Sequence, residues 1–418
     1  MISFRNLNSC TRLLALLFLV LLFSFSQDLA GQKAFAADWS TDLILKGKTE
    51  YNDNVLFSRS DEIEDFVLHG ITKIKIKGRT ERTHFLLDSS VHGEKYIDHD
   101  YLDTVNTLNY LTLDHMWTER FNTKIKAHFH KDKTLQQELE AAGQPSRWGT
   151  RYRYGSELSG SYAMTEKLNI TLGGGPNYYD YVDNQYPNLL LWRAFFDNSW
   201  TITQRNLVGS RISYDDADYE NSTTVRTLSG TVYYQRRWSE RTDITLGAGY
   251  RHTWTKYYSY FLVPVSLIDG RLAYIVEKEK ISDSEDGFIF NASLNHRWSQ
   301  RLTYYLAAGR EHYNAVDARS IDRTFVRTRL KYAITERMDL GLRFHYDKTQ
   351  DDLSNGRDND NIMVAPFVSW ALSEHLKLKV ATSYRYNKEK LRLNKYHRKR
   401  FKGWVSLTWE LPRIFANH

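Results

Sequence analysis

The most regular feature of the chain is a two-residue alternation of apolar and polar side chains. In Met338-Asp339-Leu340-Gly341-Leu342-Arg343-Phe344-His345-Tyr346 the even positions are apolar and the odd ones polar. Leu376, Leu378 and Val380 alternate with Lys377 and Lys379, and Ile74 and Ile76 with Lys73, Lys75 and Lys77. Ile125 and Phe129 stand against Lys124, Lys126 and His128 in the same way. A period of two is that of a β-strand with one apolar face. The runs are separated by a recurring polar mark: Thr80-Glu81-Arg82, Thr118-Glu119-Arg120, Thr165-Glu166-Lys167, Thr203-Gln204-Arg205, Ser239-Glu240-Arg241, Ser299-Gln300-Arg301, Thr335-Glu336-Arg337 and Ser373-Glu374-His375. The Ser/Thr positions are 38, 47, 38, 36, 60, 36 and 38 residues apart. Each mark therefore predicts a tight turn, and the repeating unit is a long hairpin. A propeller blade also repeats at about forty residues, but it needs four short strands per period, whereas each period here holds two long ones.

Strands placed between the marks number about eighteen, from 42–52 to 399–411, and the boundaries also admit sixteen. An even count puts both ends of the chain on one side, with eight short turns there and nine longer loops opposite. The sixty-residue interval holds the longest loop, 259–281, expected to fold into the barrel interior. Ahead of the first strand, Arg5 and Arg12 precede an apolar run from Leu13 to Phe25, followed by Ala34-Phe35-Ala36. This is the pattern of a secretory signal peptide, assigned to residues 1–36, with the mature protein at 37–418. The apolar run is too short for a membrane helix, which needs about twenty residues.

Composition narrows the class further. Removing Arg5, Arg12, Lys33 and Asp28 with the signal lowers the net charge from +7 to +5, and it removes the single cysteine, Cys10. No disulfide or thiolate metal site remains. Six prolines and no linker-like segment argue for one continuous architecture, and 28 tyrosines are the largest share of the aromatic content. A secreted, cysteine-free, Tyr-rich chain of alternating strands has the composition of an all-β transmembrane antiparallel up-and-down barrel in the outer membrane of a Gram-negative bacterium. Lipid then forces the sheet to close, because each unpaired amide in hydrocarbon costs several kcal/mol. Trp117, Trp200, Trp238, Trp298 and Trp370 all lie one to three residues before a turn. That placement assigns them as anchors at the periplasmic membrane interface, with outer-membrane lipids as the partner. Tyr96, Tyr178, Tyr181, Tyr214, Tyr219, Tyr346 and others at the opposite strand ends are expected to form a second band.

Alternation places a cationic set on the water-facing side: Lys73, Lys75, Lys77, Lys124, Lys126, Arg151, Arg153, Arg323, Arg327, Arg329, Lys331, Arg343, Lys377, Lys379 and Arg385. Fewer acids, among them Asp88, Glu94, Glu157, Asp339 and Asp347, share that side. A wide barrel with such a lining favours anions; partial pairing of these charges across strands is the alternative. Acids cluster at the outward loops, as at Asp98, Asp100 and Asp103, without the spacing of a calcium loop. No cofactor or metal site is expected, since the fourteen histidines show no ligand spacing. No P-loop, His-Glu-x-x-His or Gly-x-Ser-x-Gly motif occurs, so an enzyme is not expected. The cations are spread over strands rather than gathered in a patch, which argues against nucleic acid.

Tyr51-Asn52-Asp53-Asn54-Val55-Leu56, with Asp65-Phe66 about ten residues later, resembles the opening of the β-barrel porin 2 family. The resemblance extends through the Trp/Thr/Glu/Arg-type turns over the mature sequence. A Pro-Gly step common after the Asp-Phe pair is replaced here by Leu68-His69-Gly70. What the resemblance implies is an outer-membrane porin taking part in exopolysaccharide export, with polysaccharide and periplasmic export machinery as partners. A general porin for small anionic solutes and a structural or adhesive barrel working through its loops stand beside it.

Overall fold

The computed structural model of the protein describes residues 38–135, 148–182, 186–266, 272–315, 317–318, 320–351, 357–391 and 394–411. The expected signal peptide, residues 1–36, lies outside them. The chain forms β1 (Asp38–Asn52), β2 (Asp65–Arg79), β3 (Thr83–Tyr96), β4 (Thr104–Met116), β5 (Phe121–Lys133), β6 (Thr150–Ala163), β7 (Leu168–Tyr181), β8 (Leu189–Thr203) and β9 (Asn206–Tyr219). It continues through β10 (Thr224–Ser239), β11 (Thr242–Ser266), β12 (Leu272–Arg297), β13 (Leu302–Asn314), β14 (Ser320–Ala333), β15 (Met338–Asp351), β16 (Arg357–Ala371), β17 (Leu376–Leu391) and β18 (Asn394–Glu410). Every strand pairs antiparallel with its sequence neighbours, and β1 also pairs with β18, from Ile44 opposite Glu410 to Asn52 opposite Lys402. The eighteen strands thus close into a barrel without a free edge along that seam.

The recurring marks are the turns, and their hydroxyls explain why Ser or Thr recurs. Thr80, Thr118, Thr165, Ser299 and Ser373 each accept backbone N–H bonds on Oγ from the residues two and three positions ahead, at 2.9–3.4 Å. Thr203, Ser239 and Thr335 accept from the residue two ahead at 3.2–3.3 Å. The side chain supplies an acceptor to amides that the tight reversal leaves unpaired. Each turn is also stitched to the next hairpin: the carbonyl of its basic residue, from Arg82 through to His375, accepts an N–H at the end of the following hairpin at 2.8–2.9 Å.

Register then fixes the faces. Lys46, Lys48 and Glu50 stand opposite Ile71, His69 and Val67, and these opposite His92, Glu94 and Tyr96. This face is the interior. The other face carries exposed Leu158, Leu172 and Val232 (59%, 65% and 60%) together with many more large apolar side chains. So extensive an apolar belt around a closed barrel needs lipid rather than water. The protein is a bacterial outer-membrane β-barrel. Trp117, Trp200, Trp238, Trp298 and Trp370 project from the outer wall at the turn end, 50–73% exposed, with Trp39 and Trp409 at the same level. At the opposite end the tyrosines divide by parity. Tyr214, Tyr346 and Tyr386 point outward, but Tyr96, Tyr181 and Tyr219 are buried inside, because an odd step along a strand exchanges the two faces.

Two departures from expectation concern the outward loops. Within the segment 259–281 the described residues, 259–266 and 272–281, do not fold into the interior. They continue β11 and β12 as a paired hairpin, from Tyr257 opposite Ile281 to Ser266 opposite Leu272, with Ile275 and Val276 exposed (53% and 66%). The segment that turns inward is the much shorter connection of β13 to β14. The pairing of β12 with β13 stops at Phe290 opposite Arg310, although both strands continue. Beyond that point the β13–β14 hairpin parts from β12 while β14 stays paired with β15 as far as Ile321 opposite Asp351, and the consecutive residues Ser320, Ile321, Asp322 and Arg323 are all buried. Ala318 packs against Leu189, Leu191, Ala217, Tyr219 and Val225 on the inner wall of β8–β10. The Tyr219 hydroxyl donates to the Ala315 carbonyl at 2.9 Å.

Candidate functional site

The interior below the loops contains a cavity of about 710 Å³. It is bounded by β1–β5 on one side and β14–β18 on the other. Among the described residues its wall carries nine Lys or Arg side chains and three Asp or Glu. This excess exists because the register brings like charges together.

The cations named from the sequence separate into two groups. Most stand beside an acid. Lys73 and Lys75 share Asp88 (2.9 and 3.7 Å), Lys77 meets Asp42 (2.6 Å), Lys124 meets Asp114 (3.3 Å) and Lys126 meets Glu157 (2.8 Å). Arg151 and Arg153 both reach Asp132 at 3.0 Å. Arg323 lies between Asp347 and Glu311, and Lys331 contacts Asp339 at 3.0 Å. Asp42, Asp114 and Asp132 were not among the acids counted from the sequence.

The second group is Arg327, Arg329, Arg343, Lys377 and Lys379, joined by Lys46. Among the described residues none of these six has a carboxylate within ion-pair distance. Arg329 stands directly opposite Arg343 across β14 and β15, an arrangement that like charges oppose. Phe367 lies beneath two of the cations, with the Lys379 ammonium 4.3 Å and the Arg343 guanidinium 5.4 Å from its ring centre. Arg385 sits higher on β17 and donates to the Met363 sulfur at 3.4 Å. Lys48 and Lys402 grip Glu50 at 2.6 and 2.8 Å, with Lys48 5.8 Å from the centre of the Trp404 ring. The cavity therefore offers unpaired cations and aromatic faces in one wall.

Two connections turn inward at the outward end. The β1–β2 connection tucks inside, with Asn54 donating to the Lys399 carbonyl at 3.0 Å and Arg59 pairing with Glu389 at 2.6 Å. Phe57, 1% exposed, packs against Leu135 and Trp148 under the Arg400 guanidinium. Phe57 and Ala318 both hold the left-handed conformation, at φ of 50° and 62°. For residues with a Cβ that costs on the order of 1–3 kcal/mol, sustained by the packing around them. The β13–β14 hairpin is fixed by a buried bridge. Arg251, with no exposed side-chain surface, donates to Asp322 and to Thr253 Oγ1 (2.9 Å), while Arg310 holds the other Asp322 oxygen at 2.7 Å. Gly287 makes room for this: a Cβ there would lie 2.7 Å from Arg251 Nε, so a side chain at 287 would block the crossing of β12.

A histidine pair also comes together that sequence spacing did not show. His69 and His92 face each other across β2 and β3 beside Glu94. The signal in the sequence was their position on alternating strands joined by the Thr80 turn, which only a register converts into contact.

No family model matches the chain, and no curated protein matches it by sequence. By structure it is similar to the Pseudomonas aeruginosa protein OccK2 (OpdF) crystallised with glucuronate, at 12% identity and a TM-score of 0.46, covering 90% of this chain and 98% of that one. It is similar to the outer membrane protein opdK of the same organism at 11% identity, TM-score 0.45, over 90% and 99% of the two chains. The ferric-catecholate import receptor Fiu of E. coli K12 gives 6% identity and a TM-score of 0.46 over 89% and 81%.

Proposed function

We propose that the barrel is an outer-membrane channel for anionic solutes. The observation that carries this is the group Lys46, Arg327, Arg329, Arg343, Lys377 and Lys379, set in one wall with no acid to neutralise it and with Arg329 and Arg343 in direct register. A wall built only for stability would pair those positions with acids, as the same barrel does at Asp88 and Asp132. Like charges kept together in a low-dielectric enclosure raise the local concentration of the opposite sign. The rings of Phe367 and Trp404 beside them add flat apolar faces, which suits a carboxylated ring compound, such as a sugar acid, better than a bare inorganic anion.

Export of an acidic polysaccharide is the finer reading, and it rests on the resemblance to β-barrel porin 2 proteins together with this wall.

The test is the reversal potential across a planar bilayer in a KCl gradient, for the wild-type chain and for R343E/K379E. A unit charge about 8 Å from an ion's path contributes about 0.5 kcal/mol in water before screening. Screening at physiological salt reduces this by roughly a factor of three. Reversing two cations shifts the anion and the cation by about 0.7 kcal/mol each, in opposite senses, so the anion-to-cation permeability ratio is expected to fall about tenfold. Cation selectivity of the wild type, or an unchanged ratio in the variant, refutes the proposal. A polyuronate that blocks the current where a neutral dextran of equal length does not would support polysaccharide passage.

A further inference from the structure

We infer that His69, His92 and Glu94 form a binding site for one divalent transition-metal ion, Zn²⁺ by the chemistry of the donors, in the inner wall of the barrel. The site does not depend on the channel proposal. His69 Nδ1 lies 2.9 Å from His92 Nε2, and both approach Glu94 Oε1, at 3.7 and 3.5 Å. An ion with bonds of about 2.0–2.1 Å in tetrahedral geometry has ligand-to-ligand edges of about 3.3–3.4 Å. The three atoms already enclose a triangle of that size, and small side-chain rotations bring its edges to equality. Two imidazoles and a carboxylate form the donor set of zinc sites that keep a fourth position open.

A second observation points the same way. His69 is buried to more than nine-tenths, and its Nε2 has no hydrogen-bond partner. When Nδ1 takes the ion, the proton must sit on Nε2, which lies 3.9 Å from Glu50 Oε2. Metal-bound histidines are commonly held by a carboxylate on the far ring nitrogen, and a small ring rotation that shortens this gap to Glu50 would complete that contact. Glu50 is in turn fixed by Lys48 and Lys402, so these lysines compensate its charge and leave Glu94 to compensate the ion. The three ligands line the main cavity, which provides the entry path and leaves the fourth position facing it. Strand pairing sets the arrangement: His69 and Glu94 are directly opposite, and His92 is two residues before Glu94 on the same face.

The experiment uses the tag-free mature chain, refolded in detergent, stripped with a chelator and titrated with ZnCl₂ by calorimetry, with Co²⁺ as the spectroscopic probe. One ion per chain and the intense visible bands of four-coordinate cobalt are expected. H69A and H92A should each weaken binding at least tenfold, and E94Q several-fold. The double variant H128A/H130A, on the same inner wall but outside the triangle, should leave it unchanged. Heat-modifiable gel mobility confirms that each barrel is folded; E94Q keeps the shape of the site should a histidine variant fail that check. The absence of saturable Zn²⁺ binding overturns the proposal and leaves a plain histidine–histidine hydrogen bond. Binding that survives H69A, H92A and E94Q, or that is lost equally in H128A/H130A, overturns it as well.

Discussion

Replacing Arg251 by alanine is expected to release the inward-turned end of the β13–β14 hairpin. The Arg251 side chain has no exposed surface and Asp322 only 3%, so the bridge between them is shielded from water and salt. Removing one partner of such a buried pair costs about 3–5 kcal/mol, because the other charge is left without compensation. Arg310 still holds the second Asp322 oxygen, at 2.7 Å, so the lower end, about 3 kcal/mol, applies. At about 1.36 kcal/mol per tenfold change, the released population rises about 10²-fold. Tryptic cleavage at Arg310 and Arg323 in the folded barrel reads that population directly while reclosing is faster than cutting. R226A, which breaks the half-exposed pair with Asp216, is the control and should change the rate little. Cleavage of R251A at the wild-type rate, with wild-type conductance, would refute the assignment of Arg251 as the element holding this hairpin inside.

Removing a turn hydroxyl, as in S299A, leaves two amides short of an acceptor and should cost about 1 kcal/mol in urea unfolding from lipid vesicles; T118A, where the Phe121 N–H also reaches the Thr118 carbonyl at 3.3 Å, should cost less, as should changing the neighbouring Gln300 to alanine. Outside the membrane span, the Lys95 ammonium hydrogen-bonded to Asp103 at 2.6 Å holds that carboxyl below its ordinary value. Stability from a depressed carboxyl is present above the unfolded value and fades as pH falls through the lower, folded one. The protection of amides over 97–103, relative to their intrinsic exchange rates at each pH, should therefore fall on acidification, and D103N should show low protection at neutral pH as well.

The barrel was legible from the sequence because a period of two and a recurring Thr/Ser mark are local signals. Strand count, turn positions and wall faces depend on nothing more distant than the next hairpin. Charge pairing is different in kind. Lys77 meets Asp42 across 35 positions and Arg251 meets Asp322 across 71, so which cations remain unpartnered emerges only once the register is set. The same holds for His69 with Glu94. The tyrosine band was misjudged for a simpler reason: nearness to a strand end was counted without parity, and Tyr96, Tyr181 and Tyr219 fall on the inner parity. The length of the long insertion suggests a plug, but Tyr257-Tyr258-Ser259-Tyr260-Phe261-Leu262-Val263 and Ile275-Val276-Glu277-Lys278 have the strand composition of the rest of the chain.

That insertion has a consequence for what the cell displays. Beyond Lys256, the last β11 residue paired with β10, ten residues of β11 run on to Ser266. At about 3.4 Å per residue they carry the hairpin about 34 Å further, about as far as a bilayer's hydrocarbon is thick. Strand tilt makes the height above the membrane somewhat less than this length, yet among the described residues no other outward connection extends its strand pairing so far beyond its neighbours. The arm is the natural place for an epitope that reports, on intact cells, which way the barrel has inserted.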